Sequence, residues 1–458
     1  MLIALYDRAI CYNRDMWNDT IVAISTPLAT GAISIIRMSG EDALSYTRLI
    51  SDLKEDKQKA NTIHYAHIYD GNEVIDEVLI STFIGPRSYT GEDMVEINCH
   101  GSVFNTRRIL NLLLQKGCRL ADPGEFTRRA FLSGRIDLSE AESVNSMIEA
   151  NSLLQAKSAI RGVDGSIERL LNPLITDMSN ILSMIEVNID YPEYEDEKEM
   201  SQDVIKPEVE KWILKMKEMI KEAESFSLVK DGIRTAIVGK PNVGKSSLLN
   251  ALLRKDKAIV TSIAGTTRDL VEDQVRIGEL TLHLIDTAGI HESEDIVEKI
   301  GINRSIQAVK EADLVLLVLD GSRVLEEEDY QLLELTKNSD RLILWNKTDL
   351  NLIKQPFDGL HISAKENDVK ELTDYLTKRY EPNVSLVDKD ILNSERQISL
   401  MKEAKANLEN LLINIDEMPI DLLNEDIRES YRCLCDILGK EYRENLIDHM
   451  FRNFCLGK

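Results

Sequence analysis

Cysteine is scarce in this sequence of 458 residues, which contains six: Cys11, Cys99, Cys118, Cys433, Cys435 and Cys455. Their spacing includes no paired pattern typical of a structural zinc site. Cys433 and Cys435 are two apart in a helical pattern, and such positions point in different directions, which argues against a metal site there. So few cysteines exclude a disulfide scaffold, and we expect reduced thiols.

Long apolar runs are also missing, because no stretch approaches the roughly 20 residues that a membrane-spanning helix needs. The opening MLIALYDRAICYNRD has neither the basic start nor the small-residue cleavage site of a signal peptide. With 43% hydrophobic and 29% charged residues, the composition is typical of a globular protein. The sequence therefore predicts a cytoplasmic protein that does not cross a membrane.

Positive charge is in short supply: 55 lysine and arginine residues against 79 aspartate and glutamate residues give a net charge of −24. That balance opposes binding to a polyanion unless basic residues are concentrated locally or a partner supplies them. The densest basic cluster runs from Arg107 to Arg135 and includes Arg108, Arg119, Arg128 and Arg129. A binding surface and an ordinary solvated face are both open interpretations of this cluster.

The length predicts about three domains, and the residue pattern changes along the chain accordingly. Short β-rich runs with turn signals and one amphipathic stretch indicate an α+β domain at 16–134, after an extension at 1–15. Helical spacing follows at 135–229 and returns at 382–458. We therefore predict a helical domain that is split by an insert at 230–381.

The two helical segments carry their own signals. Ser139 and Glu142 are spaced as a capping box, which predicts the start of the first helix. The second segment has an apolar helical face with Ile398, Met401, Leu408 and Leu411. The stretch LIDHMFRNF near the chain end repeats that pattern, so we expect it to dock into the helical domain.

The insert begins with the sequence TAIVGKPNVGKSSLLNALL, in which a β-run precedes a glycine-rich loop and a helical pattern. Gly239 and Gly244 bracket four residues and are followed by Lys245 and Ser246, which is the spacing of a P-loop. The glycines allow backbone amides to approach a phosphate chain, Lys245 reaches the β- and γ-phosphates, and Ser246 ligates Mg²⁺. The sequence thus predicts a nucleotide-binding α/β domain.

Two further motifs follow in the order that such a domain requires. LHLIDTAG places Asp286 at a strand end, suited to a water-mediated contact with Mg²⁺, and turns the Gly289 amide towards the γ-phosphate. LILWNKTD places Asn346 and Asp349 at the end of another apolar strand. An aspartate accepts from the two N–H donors of guanine's Watson–Crick edge, a pair that adenine lacks, so the predicted base is guanine. The backbone of HISAK can donate to the guanine carbonyl through Ser363, Ala364 and Lys365.

The insert resembles the Ras-like GTPases, and KPNVGKSSLLN with TSIAGTTRD is similar to the branch that contains the Era, EngA and MnmE (TrmE) families. The resemblance implies a doubly wound α/β sheet. Residues 382–458 lack the GxxG loop of the Era RNA-binding domain, and the chain lacks the second P-loop of EngA. From Met16 to Lys458 the chain resembles the MnmE family, on motifs that include SYTGEDMVEINCHG, PGEFTRRAFLSGRIDLSEAE, YPEYEDE and FCLGK.

That resemblance implies the GTP contacts. They fall on the P-loop, the switch, the DTAG segment and the base loops: Asn242, Val243, Gly244, Lys245, Ser246, Ser247, Thr261, Ser262, Ile263, Ala264, Gly265, Thr266, Thr267, Asp286, Thr287, Ala288, Gly289, Asn346, Lys347, Asp349, Ser363, Ala364 and Lys365. Ser246 and Thr267 are the implied Mg²⁺ ligands.

One departure from Ras is informative, because Ile290 follows DTAG where Ras has its water-orienting glutamine. The resemblance implies that K⁺ supplies positive charge near the β- and γ-phosphates, the task of an arginine finger, with ligands at Asn242, Thr261, Ile263 and Thr266. It also implies that Glu298 positions the attacking water indirectly. The cation site would form when two GTPase domains face each other in a homodimer that the α+β domains hold together.

The family's folate contacts fall on Arg37, Glu96, Arg135 and Lys458, and at Arg135 the family usually has lysine. That change keeps the charge and alters the donor geometry. A pterin offers adjacent N–H donors to a carboxylate such as Glu96, and a glutamate tail attracts cations. Cys455 would lie near the one-carbon unit, where a neighbouring cation lowers the pKa of a thiol.

The implied function is GTP-dependent modification of tRNA. With an FAD-dependent partner of the MnmG type, in a heterotetramer, such a protein adds a carboxymethylaminomethyl or aminomethyl group to the wobble uridine, using a tetrahydrofolate derivative as carbon donor. Two alternatives are open from the residues alone. A switch GTPase in ribosome assembly predicts no folate binding and no use for Cys455, and a folate-dependent one-carbon transferase predicts full activity after Lys245 is neutralised.

Overall fold

The computed structural model describes residues 19–190, 202–255, 274–285, 307–350, 353–415, 420–440 and 457. The chain divides into two compact units. The first comprises Met1–Glu149, Ala159–Glu199 and Pro419–Lys458, and the second comprises Ala150–Ser158 and Met200–Met418. The domain boundaries expected from the sequence stay predictions.

The first unit contains a six-stranded sheet. Its strands are β1 (Ile21–Ile24), β2 (Ile33–Ser39), β3 (Thr62–Asp70), β4 (Glu73–Phe83), β5 (Met94–His100) and β6 (Arg119–Leu120). They are ordered β3-β4-β5-β2-β1-β6, and every neighbouring pair is antiparallel except β1 with β6. The register of β2 with β5 pairs Arg37 with Glu96. Because cross-strand partners project to the same face, these two side chains meet.

Helices cover one face of this sheet: α1 (Ala43–Ile50) and α2 (Val103–Lys116) pack on the core formed by alternate strand residues. The amphipathic stretch predicted around RRILNLLLQKG is helix α2, which Ser102 caps and which ends at Gly117. On the other face, α3 (Glu125–Leu132) places Phe126 against Ile21 and Met94. This mixture confirms the predicted α+β domain.

The rest of the described first unit is helical, with α4 (Leu138–Glu149), α6 (Ser166–Asp190) and α12 (Ile420–Leu438), and with a portion of α5 (Leu153–Val163). α12 packs along α6 and also contacts α4. The predicted capping box on Ser139 and Glu142 is wrong. The reciprocal bonds are made by Asp137 and Glu140: the Glu140 amide donates to the Asp137 carboxylate, and the Asp137 amide donates to the Glu140 carboxylate, each at 2.7 Å.

The second unit contains the other six-stranded sheet. Its strands are β7 (Ile233–Val238), β8 (Gln274–Ile277), β9 (Leu280–Ile285), β10 (Leu314–Asp320), β11 (Arg341–Asn346) and β12 (Leu360–His361). They are ordered β12-β11-β10-β7-β9-β8, and all neighbours are parallel except β8 with β9. All residues of β10 are buried, as a central parallel strand requires.

Helices α8 (Lys245–Lys255), α9 (Glu327–Leu335) and α10 (Lys370–Val384) alternate with these strands. Two longer helices, α7 (Gln202–Lys230) and α11 (Glu395–Asn414), precede and follow the sheet in the chain and pack on each other. Ile398, Met401, Leu408 and Leu411 are buried on α11, as the apolar pattern predicts. The structure confirms the predicted fold class, with a doubly wound α/β domain inserted in a helical region after an α+β domain.

Within the described segments, no helix is long and apolar enough to cross a membrane.

Candidate functional site

The predicted P-loop joins β7 to α8 at the carboxyl edge of the parallel sheet. A Cβ atom on Gly239 would lie 2.6 Å from the Val318 carbonyl oxygen, so only glycine fits against the neighbouring strand. Asn242 and Gly244 both have positive φ, 63° and 99°, which turns the loop sharply into the helix. The loop therefore presents its backbone at a helix N-terminus, the position at which anions bind.

Lys245 is the first residue of α8, and its side chain lies against the P-loop. Its ammonium donates to the carbonyl oxygens of Gly239 and Lys240, each at 2.8 Å. Burial lowers the pKa of Lys245, which means that its charge is less well solvated there than in water. A phosphate bound in the loop would compensate that desolvation. Ser246 and Ser247 follow on the exposed side of the helix start.

Asn346 ties the P-loop to the second predicted base loop. The side chain is 2% exposed at the end of β11. Its Nδ2 donates to the Val243 carbonyl at 2.8 Å, and its Oδ1 accepts from the Ala364 amide at 3.0 Å. A Cβ on Gly244 would lie 2.2 Å from this Nδ2. The NKTD motif identified Asn346, but its pattern gives no signal that both polar ends hold other loops in place.

Asp349 faces the HISAK segment. Ser363 is buried and its hydroxyl donates to an Asp349 carboxylate oxygen at 2.9 Å, whereas Lys365 is exposed. Lys347 has a φ of 69° and its ammonium lies 2.7 Å from an Asp320 carboxylate oxygen. Burial raises the pKa of Asp320, but hydrogen bonds from Lys347 and Ser322 outweigh it, so the pKa is lowered.

The structure thus brings together the P-loop residues and the base-loop residues at one edge of the sheet. Some of the predicted residues lie outside the described ones: Thr261, Ser262, Ile263, Ala264, Gly265, Thr266, Thr267, Asp286, Thr287, Ala288, Gly289, Glu298, Cys455 and Lys458.

A second cluster lies on the sheet of the first unit and is centred on Arg37. Its guanidinium contacts one Glu96 carboxylate oxygen twice, from Nε at 2.9 Å and from a terminal nitrogen at 2.7 Å. The Arg37 Cζ atom is 5.6 Å from the ring centroid of Tyr89 and 5.7 Å from that of Phe126. Arg135 lies over the same Tyr89 ring, at 5.6 Å, and donates to the Ser88 carbonyl. Two predicted ligand residues, Arg37 and Arg135, therefore share one tyrosine, and the third, Glu96, is paired with Arg37.

The chain end reaches the same place. The Gly457 carbonyl accepts from Arg37 at 3.3 Å and from the Ser25 hydroxyl at 3.1 Å. Gly457 has a φ of 93°, and a Cβ there would lie 2.6 Å from the Ile24 carbonyl oxygen, so the position requires glycine. Its neighbour in sequence is the predicted ligand residue Lys458. Sequence reasoning missed Tyr89, Phe126 and Ser25, because only tertiary contacts reveal them.

One arginine of the basic cluster is buried, and a second is held by the same acids. Arg129 is 3% exposed and contacts the carboxylates of Asp19, Glu92 and Glu125. Arg119 pairs with two of the same acids, Asp19 and Glu125. Burial raises the pKa of Glu125, yet these arginines and a backbone hydrogen bond lower it overall. Arg129 is therefore paired inside the fold and is not part of a solvated face or of a polyanion surface.

Comparisons with known proteins agree with this organisation. The family described as "GTP-binding protein TrmE N-terminus" matches residues 20–135, and the family described as "MnmE helical domain" matches residues 138–455. The tRNA modification GTPase MnmE of Streptococcus thermophilus (strain CNRZ 1066) is 44% identical over 449 residues, which cover 96% of this chain and 98% of that protein. The protein of the same name from Streptococcus pyogenes serotype M4 (strain MGAS10750) is 44% identical over 451 residues, with the same coverage.

Solved structures match a smaller share of the chain. A variant of Era from Aquifex aeolicus is 25% identical, covers 38% of this chain and 66% of its own, and has a TM-score of 0.25. The FeoB G-domain from Methanococcus jannaschii is 21% identical, covers 34% of this chain and 98% of its own, and has a TM-score of 0.23. The identity to curated relatives over nearly the whole length and the two matched domains show that the chain belongs to the MnmE family of tRNA modification GTPases.

Proposed function

We propose that this protein hydrolyses GTP in the course of modifying the wobble uridine of tRNA, with the P-loop of the second unit as the nucleotide site and the Arg37 cluster of the first unit as a folate site. Membership of the MnmE family supports the overall activity. The observation that carries the nucleotide assignment is the side chain of Asn346, which joins the loop that would hold phosphate to the loop that would hold the base.

In the proposed GTP complex, Lys245 exchanges its two loop carbonyls for phosphate oxygens and stabilises the charge that develops on them. Asp349 accepts from the guanine N–H donors, and the Ser363 hydroxyl keeps the carboxylate oriented. The first-turn hydroxyl of Ser246 fits a hard cation such as Mg²⁺, with Thr267 as the second protein ligand. Bound Mg²⁺ would neutralise phosphate charge.

Gly244 offers a test of the tie at Asn346. Gly244→Ala places a Cβ where Asn346 Nδ2 lies, so we expect both contacts of that side chain to loosen and GTP affinity to fall at least tenfold. Gly278→Ala is the matched control, because Gly278 also has positive φ, 63°, but a Cβ there meets nothing within 4 Å. It should cost about 1–2 kcal/mol of stability from backbone strain and leave GTP binding unchanged.

Titration with GTP measures the affinity, and hydrogen exchange at residues 363–365 reports whether the base loop loosens. Wild-type exchange at those residues in Gly244→Ala would contradict the proposed tie.

Potassium is the proposed substitute for the glutamine that Ile290 replaces. Asn242 is an exposed residue of the P-loop with a φ of 63°, and its amide oxygen is a ligand type that K⁺ accepts. The other proposed ligands are Thr261, Ile263 and Thr266. The cation would supply positive charge beside the β- and γ-phosphates, the task that an arginine finger performs elsewhere, and Glu298 would position water indirectly.

We expect GTP turnover to be at least tenfold faster in potassium chloride than in sodium chloride at equal ionic strength, because the cation supplies positive charge beside the β- and γ-phosphates in place of an arginine finger. Asn242→Ala should remove most of that difference while GTP still binds. Steady-state phosphate release in the two salts is the measurement. Equal rates for the wild-type protein in both salts would eliminate potassium from the mechanism.

The Arg37 cluster has the chemistry of a folate site. Glu96 can accept from the adjacent N–H donors of a pterin, and Arg135 offers an exposed cation to a glutamate tail. Gly457 fixes the chain end beside Arg37, which supports a place for Lys458 and Cys455 near the same ligand. A tetrahydrofolate derivative that carries a one-carbon unit would supply that carbon, and direct chemistry by Cys455 belongs to the proposal.

A homodimer through the first unit is consistent with its sheet. Four large apolar side chains are exposed on the face that carries Arg37 and Glu96: Ile33 (62%), Ile63 (66%), Tyr65 (61%) and Leu79 (48%). A second copy covering this face would bury them beside the ligand cluster. An FAD-dependent protein of the MnmG type is the proposed further partner, in a heterotetramer, and tRNA is the proposed substrate of the assembly.

Modification of the wobble uridine tests the proposed role of Cys455. Cys455→Ser should abolish the modification while GTP hydrolysis stays within about twofold of wild type, because the P-loop and the base loops belong to the second unit and Cys455 belongs to the first. Cys11→Ser is the matched control, since Cys11 precedes the residues that the family matches, and it should modify tRNA normally. Mass spectrometry of digested tRNA measures the product. Normal modification by Cys455→Ser would show that this thiol has no role in the reaction.

A further inference from the structure

We propose that Tyr89 is a positioning residue for the ligand site of the first unit: its ring holds the guanidinium groups of Arg37 and Arg135 in the arrangement that receives a reduced folate. The inference rests on the proposed folate site and adds a residue that touches the two cations rather than the reacting carbon.

The Tyr89 ring is itself fixed. Its hydroxyl lies 2.8 Å from the Thr127 hydroxyl, and Thr127 is fully buried. The ring packs against the core cluster that includes Met94 and Phe126. A ring held by its hydroxyl and by these core contacts does not follow the arginines, so the arginines must adapt to the ring.

Arg135 depends more than Arg37 on the segment that contains Ser88 and Tyr89. Its guanidinium donates to the Ser88 carbonyl and lies 5.6 Å from the Tyr89 centroid, within the roughly 6 Å over which a cation is attracted to an aromatic face. These two contacts are made with the consecutive residues Ser88 and Tyr89, and the Arg135 side chain is otherwise exposed. Without the ring, a long side chain regains its rotamer freedom and must lose it again when a ligand binds.

Arg37 depends on the ring less, because Glu96, Phe126 and the Gly457 carbonyl also hold it. Loss of the ring should therefore resemble loss of Arg135 more than loss of Arg37. This asymmetry separates a positioning role from a general structural one, since a disturbed core would impair both cations together.

The experiment is calorimetric titration of the full chain with tetrahydrofolate. Tyr89→Phe keeps the ring and should bind within about twofold of wild type. Tyr89→Leu should bind about tenfold more weakly, the loss expected for one or two cation–π contacts. In a double variant with Arg135→Met, Tyr89→Leu should weaken tetrahydrofolate binding by less than about twofold beyond the loss that Arg135→Met causes alone. GTP hydrolysis and the melting temperature are recorded for each variant, and Tyr89→Met replaces Tyr89→Leu if the latter does not fold.

The outcomes distinguish the two proposals. Tetrahydrofolate binding by the wild-type protein together with equal binding by Tyr89→Leu, or additive losses in the double variant, overturns the positioning role alone. Failure of the wild-type protein to bind tetrahydrofolate overturns the folate site and the role of Tyr89 with it. A tenfold loss that Tyr89→Phe does not show and that Arg135→Met masks supports the inference.

Discussion

The guanidinium of Arg37 is the interaction on which the first unit's site depends. The antiparallel register of β2 with β5 places it opposite Glu96, and both side chains are largely shielded from water, at 16% and 19% exposure. A charge so shielded requires its partner, because removing one leaves the other desolvated and unpaired. The same group also binds the Gly457 carbonyl, so a pairing decided by sheet register determines where the chain end lies.

The nucleotide site is built on a different principle. The P-loop lysine, Lys245, donates to two backbone carbonyls, and the site's architecture depends on an uncharged amide, Asn346, that bonds to two loops. Gly244 must lack a Cβ for that amide to fit. The glycine of the P-loop thus serves phosphate approach and the contact with the base loop together.

Much of the nucleotide site and of the helical pattern could be predicted from the sequence, because these features depend on residues that lie close together in the chain. The P-loop glycines, the strand end at Asn346 and the buried face of α11 all follow from short-range patterns that the fold leaves unchanged. The capping box failed for the same reason: the pattern of an acceptor followed by an acid three residues later fits both Ser139 with Glu142 and Asp137 with Glu140. Only the helix start decides between them.

What could not be predicted from the residues alone depends on distant contacts. Tyr89 lies in a segment that reads as a turn, and its two arginine neighbours stand 52 and 46 positions away in sequence, at Arg37 and Arg135. Arg129 belongs to a basic cluster, yet three acids from elsewhere in the unit enclose it. The spacing of residues along the chain does not indicate such long-range contacts. The resemblance to a known family supplied Arg37, Glu96 and Arg135, whereas their common support at Tyr89 required the fold.

The central claim is that Arg37 holds the chain end and the ligand site together. Carboxypeptidase trimming followed by mass spectrometry, with tetrahydrofolate titration on the same samples, tests it most directly. Arg37→Met should speed trimming past Gly457 and abolish tetrahydrofolate binding while GTP hydrolysis persists. Arg48→Met, which removes a surface arginine bonded to Gln58 and Ser45, should change neither. Wild-type trimming and wild-type binding in Arg37→Met would contradict the account.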